Sequence, residues 1–283
     1  MGNGIAHVFA INGFEVMLFD INEKALAKSI INIEKNINRQ INKELLTPDA
    51  GRSSLERIQL VSNLEQAVTS ADIVIEAATE NESLKLQIFS SLSTLVSKET
   101  ILATNTSSIS IGKIAAVTKH PENVIGMHFM NPVPVMKLVE IISGYKTSEK
   151  TTAAITQLSK KLGKTPVACN DYPGFVANRI LMPMINEAIE SLQNGVAGVS
   201  EIDSIMKLGM GHPMGPLQLA DFIGLDVCLS ILNVMNQGYG NPKYSPNPVL
   251  INLVTSGDLG VKSGKGFYDY SNGLKNPTVA YKA

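Results

Sequence analysis

The first half of the chain repeats one pattern: short apolar runs at residues 14–20, 58–61, 73–77 and 101–104, each followed by a stretch with helical spacing or a polar loop that opens a helix. Runs of this length, without regular apolar–polar alternation, suit strands buried on both faces, the condition of a parallel sheet covered by helices. Alternation of such strands with helices predicts an α/β domain. The first helix opens at the N-terminus on Ile5, Val8 and Phe9 and closes at the Asn12-Gly13 turn. A second spans 22–46 on Leu26, Ile30, Ile33, Ile37 and Ile41, and Thr47-Pro48-Asp49 restarts a third through an N-cap followed by proline. An amphipathic helix over 148–162 and a last strand over 164–169 complete the domain.

At Asp171-Tyr172-Pro173-Gly174 the pattern changes. Helical spacing covers 175–193 (with a kink predicted at Pro183), 200–208, 216–236 and 248–256, and strand signals are absent. A chain of 283 residues is long for one domain. The expected organisation is therefore a dinucleotide-binding-type domain over 1–171 and a helical domain over 172–283, the latter closing over a substrate and carrying a dimer interface. The fold class is α/β, a doubly wound, mainly parallel sheet followed by an all-helical domain.

Composition excludes several partners. A net charge of −1 supplies no basic face for a phosphate backbone, so nucleic acid is not expected. No apolar run reaches the roughly 20 residues that cross a bilayer, and the N-terminus lacks the basic segment and continuous apolar core expected of a signal peptide. Cys169 and Cys228 show neither metal-ligand nor disulfide-framework spacing and read as reduced core thiols of a cytoplasmic protein.

Candidate chemistry concentrates between residues 105 and 140. His128 stands in His-Phe-Met-Asn-Pro-Val-Pro, and Glu140 follows in Lys-Leu-Val-Glu, between strand-like runs at 123–127 and 136–142. A reversal of the chain there returns the carboxylate to the imidazole, the outline of an acid/base pair. A structural histidine at a strand end is the other reading. His7, His120 and His212 read as solvated or capping residues. Asn105-Thr106-Ser107-Ser108 lies at the C-terminal end of a predicted strand, where open α/β sheets bind ligands, and Ser107 is read either as a helix N-cap or as a substrate contact.

Asp20 ends a strand as the acid that receives ribose hydroxyls does in dinucleotide-binding units. With Ile21-Asn22 after it and no arginine to take a 2′-phosphate, it favours NAD over NADP. Gly2 matches the last glycine of Gly-x-Gly-x-x-Gly. The strand and the two glycines that precede it in that fingerprint are missing from the chain, so this domain is expected to be N-terminally truncated and its cofactor affinity reduced. Lys28, Lys35, Arg39 and Lys43 share a helix face, read either as solvated surface or as a docking face for an anionic ligand tail.

Taken in order, Asn105-Thr106-Ser107-Ser108, His128-Phe129-Met130-Asn131-Pro132-Val133-Pro134, Lys137-Leu138-Val139-Glu140, Asp171-Tyr172-Pro173-Gly174-Phe175-Val176-Ala177-Asn178-Arg179 and Gly209-Met210-Gly211-His212-Pro213-Met214-Gly215-Pro216 resemble the L-3-hydroxyacyl-CoA dehydrogenase family, nearest its bacterial 3-hydroxybutyryl-CoA members. The resemblance runs from Met1 to Tyr270. It implies a Rossmann-like NAD domain, an acyl-CoA substrate in fatty-acid or butanoate metabolism, and a homodimer. His128 would be the general base and Glu140 its support, with Ser107 and Asn178 holding the substrate oxygen and thioester. Asp20 would meet the ribose, Glu80, Lys85, Asn105 and Asn131 the nicotinamide half, and Lys262 would be a further cofactor contact. Lys43 falls at a basic contact to coenzyme A, and Asn36 stands where some members have serine. The alternative is a non-catalytic dimeric relative with impaired NAD binding. A 2-hydroxyacid or sugar-acid dehydrogenase is disfavoured because such reactions do not need this His-Asn-Pro segment.

Overall fold

The computed structural model describes residues 1–281, and their contacts divide the chain into two units, Met1–Tyr172 and Pro173 onward. The first unit runs α1 (Gly2–Ile11), β1 (Val16–Phe19), α2 (Glu23–Asn42), α3 (Pro48–Glu56), β2 (Ile58–Val61), α4 (Leu64–Val68), β3 (Ile73–Glu76), α5 (Glu82–Leu95), β4 (Ile101–Thr104), α6 (Ile111–Ala116), β5 (Val124–Phe129), β6 (Leu138–Ser143), α7 (Glu149–Lys161) and β7 (Thr165–Asn170). Helix starts follow local chemistry. The side chains of Asn22, Thr47, Asn63, Asn81, Ser110 and Ser148 each accept from a backbone N–H of the first turn of the helix that follows. The cap of α6 is thus Ser110 and not Ser107.

The strands form two hydrogen-bonded sheets. β1 and β2 pair in parallel, Val16 opposite Ile58, and the larger sheet has the order β3-β4-β5-β6-β7. All its steps are parallel except β5–β6. Every residue of β5 is buried. Ile5, Val8 and Phe9 of α1 share one core cluster with Ile125, Met127 and Phe129 of β5 and Ile155 of α7, while Ala6 and Ala10 join Ile33, Ile37 and Ile58. Gly4 lets α1 sit against the 131–135 loop: a Cβ there would lie 3.0 Å from Val133 Cβ.

Helices dominate the second unit: α8 (Ala177–Gln193), α9 (Val199–Gly209), α10 (Pro216–Ile223), α11 (Leu225–Tyr239) and α12 (Pro248–Thr255). α8 continues through Pro183. The single helix expected over 216–236 is instead two, bent by 95° at Gly224, whose φ of 102° an L-residue rarely adopts. The unit also contains a short antiparallel pair, β8 (Tyr268–Asp269) with β9 (Thr278–Val279), which the sequence reading lacked; strands this short leave no periodicity to read. Two buried carboxylates tie this segment down. Asp203 accepts from the N–H groups of Leu217 and Gln218 and from the Tyr268 hydroxyl, and Asp221 from the N–H groups of Phe267 and Tyr268 and the Tyr270 hydroxyl. Burial pushes the Asp221 carboxyl up to about 6. Among the described residues no single helix is long and apolar enough to cross a membrane.

His7 corrects the expectation of a solvated or capping histidine: it faces inward on α1 and is fully buried. Its Nε2 lies 3.1 Å from Gln40 Oε1, and its Nδ1 has no hydrogen-bond partner. Burial lowers its pKa below 6.5, the Lys164 charge acts in the same direction, and the Gln40 bond opposes both. A depressed pKa means that the unfolded chain takes up the proton first. The neutral imidazole therefore contributes stability above about pH 6.5, and that contribution is lost as the pH falls through the folded-state value. His7→Gln is expected to flatten the decline in unfolding free energy between pH 7.5 and 5.5. Urea titrations at the two pH values test this, and a wild-type slope in the variant would assign the dependence to another group.

Candidate active site

The single antiparallel step of the larger sheet positions the acid/base candidates. The ladder extends past the expected strand end, through Phe129↔Val139, so His128 lies inside β5 and directly opposite Glu140 on β6. Directly opposed residues share a face, with Cβ atoms roughly 4.5–5.5 Å apart. His128 Nδ1 and Glu140 Oε2 meet at 2.8 Å with both side chains nearly buried. An ionised carboxylate only accepts, so Nδ1 carries the proton and Nε2 is the basic nitrogen.

The 105–110 turn is held at three points. At its start, Asn105 Oδ1 accepts from the N–H of Phe129, beside His128. In the middle, one oxygen of Glu80, Oε1, accepts from Thr106 Oγ1 (2.6 Å), Ser107 N (2.8 Å), Ser108 N (3.1 Å) and Ser108 Oγ (3.0 Å). At its end, the Asp171 carboxylate accepts from Ser110 Oγ, Ile111 N and Gly112 N at 2.8–3.0 Å. Ser107 itself is half-buried. In the sequence Asp171 is legible only as part of a boundary turn; the partners of a capping carboxylate 60 residues away leave no local trace.

The other candidates separate by environment. Asp20 ends β1 half-buried, its Oδ1 accepting from Asn22 N at 2.8 Å, and Gly2 opens α1. Asn131 and Lys43 are exposed, Asn36 half-buried. Lys85 is fully buried: its ammonium donates to both Glu76 oxygens at 2.7 and 2.9 Å and to the Ala78 carbonyl at 3.3 Å. A direct cofactor contact would have to replace one of those bonds. In the second unit, Asn178 is buried on the first turn of α8, behind the positive-φ residues Gly174 and Phe175. The Arg179 guanidinium stacks 4.7 Å over the Tyr239 ring, whose hydroxyl donates to the Pro173 carbonyl. Lys262 is ion-paired with Asp226. Cys169, expected in the core, is half-buried on the edge strand β7; burial pushes its thiol and that of Cys228 up to about 12, so neither is a thiolate nucleophile at neutral pH. No cluster of metal-ligating side chains occurs among the described residues.

Residues 1–172 match the model of the 3-hydroxyacyl-CoA dehydrogenase NAD binding domain, and residues 174–270 that of the 3-hydroxyacyl-CoA dehydrogenase C-terminal domain. A probable 3-hydroxybutyryl-CoA dehydrogenase of Bacillus subtilis is 53% identical over 270 residues, covering 95% of this chain and 94% of its own. The 3-hydroxybutyryl-CoA dehydrogenase of Bradyrhizobium diazoefficiens is 48% identical over 278 residues, 98% and 94% of the two chains. The crystal structure of (S)-3-hydroxybutyryl-CoA dehydrogenase from Ralstonia eutropha superposes with a TM-score of 0.92 at 48% identity, covering 96% and 95%.

The clamp on the 105–110 turn makes Asp171 a stability determinant. Its carboxylate is half-buried and takes three bonds, two of them from otherwise orphaned N–H groups at the start of α6. Loss of a charged cap costs about 1–3 kcal/mol. Asp171→Ala is expected to lower the unfolding free energy by that amount and Asp171→Asn by about half. A change below about 0.5 kcal/mol in urea titration of Asp171→Ala would remove the cap from the account.

Proposed function

From the premise that this chain belongs to the 3-hydroxyacyl-CoA dehydrogenase family, we propose that it interconverts L-3-hydroxybutyryl-CoA and acetoacetyl-CoA with NAD. The observation that carries the reading is the buried His128–Glu140 pair at the end of the larger sheet. The residues fit the cofactor. Asp20 offers a fixed carboxylate acceptor at the C-terminal end of a strand, as a ribose diol requires, and Gly2 stands at a helix N-terminus, where an anionic pyrophosphate is favoured. Bound NAD supplies the acceptor for the hydride.

The chain's own residues handle the proton and the geometry. A secondary alcohol releases hydride only as its oxygen loses a proton, and Nε2 of His128 takes that proton. Glu140 fixes the Nδ1–H tautomer and stabilises the imidazolium as it forms, across 2.8 Å in a setting nearly closed to water. Ser107 and Asn178 hold the substrate oxygen and thioester, Asn105 and Asn131 line the nicotinamide side, Lys262 is a further cofactor contact, and Lys43 at the C-cap of α2 takes the coenzyme A tail. We read the assembly as a cytoplasmic homodimer. Large apolar residues left exposed in the helical unit, Ile180, Ile205, Leu208 and Met210, support a partnered surface, and two free cysteines suit a reducing compartment.

NADH oxidation with acetoacetyl-CoA tests the reading. His128→Gln is expected to lower kcat by about 10²- to 10⁴-fold while NADH affinity changes less than about threefold. Glu140→Gln should lower kcat in the same direction with the fold retained. Near wild-type turnover of either variant would end the assignment of the pair.

Asp20→Ala is expected to raise the KM for NADH about tenfold and leave that for acetoacetyl-CoA within about twofold. Equal effects on both substrates would remove Asp20 from the cofactor site.

A further inference from the structure

Beneath the 105–110 turn lies a charge network that the proton-transfer chemistry does not use. Glu76, the last residue of β3, is nearly buried. Its Oε1 accepts from Lys85 Nζ (2.7 Å) and Ala78 N (2.6 Å), and its Oε2 from Lys85 Nζ (2.9 Å) and Thr104 Oγ1 (2.7 Å). A carboxylate offers about four lone-pair sites, and all four are taken, by groups from α5, β4 and the loop after β3. The Glu76 carbonyl also accepts from Asn105 N at 2.8 Å, at the start of the turn.

We propose that Glu76 is a positioning residue of the dehydrogenase, acting on the reacting groups through Lys85 and Glu80. Lys85 is fixed by Glu76 and lies 3.6 Å from Glu80 Oε2. The other oxygen of Glu80, Oε1, carries the four bonds to Thr106, Ser107 and Ser108. Glu80 is an exposed loop residue, outside any helix or strand. Its Oε1 is held by the four donors of the turn, and the fixed ammonium holds its Oε2. The chain of contacts thus runs from a rigid strand end, through a buried ammonium, to a loop carboxylate and on to the backbone of Ser107.

The residue types argue for this role over a purely structural one. A buried ion pair is weak support for stability, since a well-packed apolar pair of the same volume often serves as well or better. Methionine at 85 would fill the same space on α5. What it would not supply is a cation under Glu80. The inference rests on the reading of Ser107 as a residue that faces the substrate oxygen.

Glu76→Gln alone leaves the Lys85 charge buried without its main partner and is expected to destabilise the protein, so the informative variant is the pair Glu76→Gln with Lys85→Met. The new amide oxygen can accept from Ala78 N, and its NH2 takes the position facing Thr104 Oγ1, a hydroxyl that can also accept. With folding checked by circular dichroism, this double variant is expected to lose 10- to 100-fold in kcat with acetoacetyl-CoA and at least threefold in NADH affinity, measured by fluorescence titration. Glu80→Gln is then placed in both backgrounds. If Glu76 and Lys85 act through Glu80, that substitution costs about tenfold or more in the wild type and less than about threefold in the double variant. Additive losses, or a folded double variant within twofold of wild-type kcat and NADH affinity, would overturn the proposal. Wild-type protein that binds NADH but does not reduce acetoacetyl-CoA would instead fault the substrate reading, and the same cycle is then read from NADH affinity.

Discussion

One antiparallel step in an otherwise parallel sheet is the constraint on which the site depends. The β5–β6 pairing sets His128 opposite Glu140, and a shift of register by one residue would turn every side chain of one strand to the other face. Register is held by apolar neighbours. Ile125, Met127 and Phe129 alternate with His128 along β5 and enter the core with Val139 and Ile141 of β6. The core thus specifies the 2.8 Å contact between two polar groups that would not themselves select a register. Burial of the pair is tolerated because the imidazole gives the carboxylate a hydrogen bond that water would otherwise supply.

A second level of order surrounds the 105–110 turn. Backbone at the mouth of an open sheet has no ladder to fix it, and here three acidic or amide side chains take over: Asn105, Glu80 and Asp171. All three act as acceptors toward N–H groups, the group a turn leaves unpaired. Behind Glu80 lies the saturated carboxylate of Glu76 with its buried lysine. Lys164 performs a comparable task in the loop between β5 and β6, donating to the carbonyls of Val133 and Met136. Burial lowers its pKa below the usual lysine range.

In the helical unit the same economy of buried carboxylates operates without any link to proton transfer. Asp203 and Asp221 each collect two backbone N–H groups and a tyrosine hydroxyl. They fasten the start of α10 and the segment around Tyr268 to one another through bonds that no sequence pattern announces. A carboxyl raised to about 6 at Asp221 marks the cost of this burial, and the three donors are what keep the charged form accessible at neutral pH.

The sequence by itself determined whatever depends on local periodicity and on ordered motifs: the alternation of strands and helices, the cap at Thr47, the change of character near Asp171, and the family to which His128, Glu140 and the Asn105–Ser108 segment point. These are legible because neighbours in the chain produce them. Tertiary structure alone decided that His7 faces inward, that Asp171 reaches the N-terminus of α6, and that Lys85 is buried. Each of these depends on partners brought from distant positions: Gln40 for His7, Asp171 for the α6 N-terminus, Glu76 for Lys85. A buried polar residue is defined by what satisfies it, and that partner is set by the fold, where a one-dimensional pattern carries no record of it.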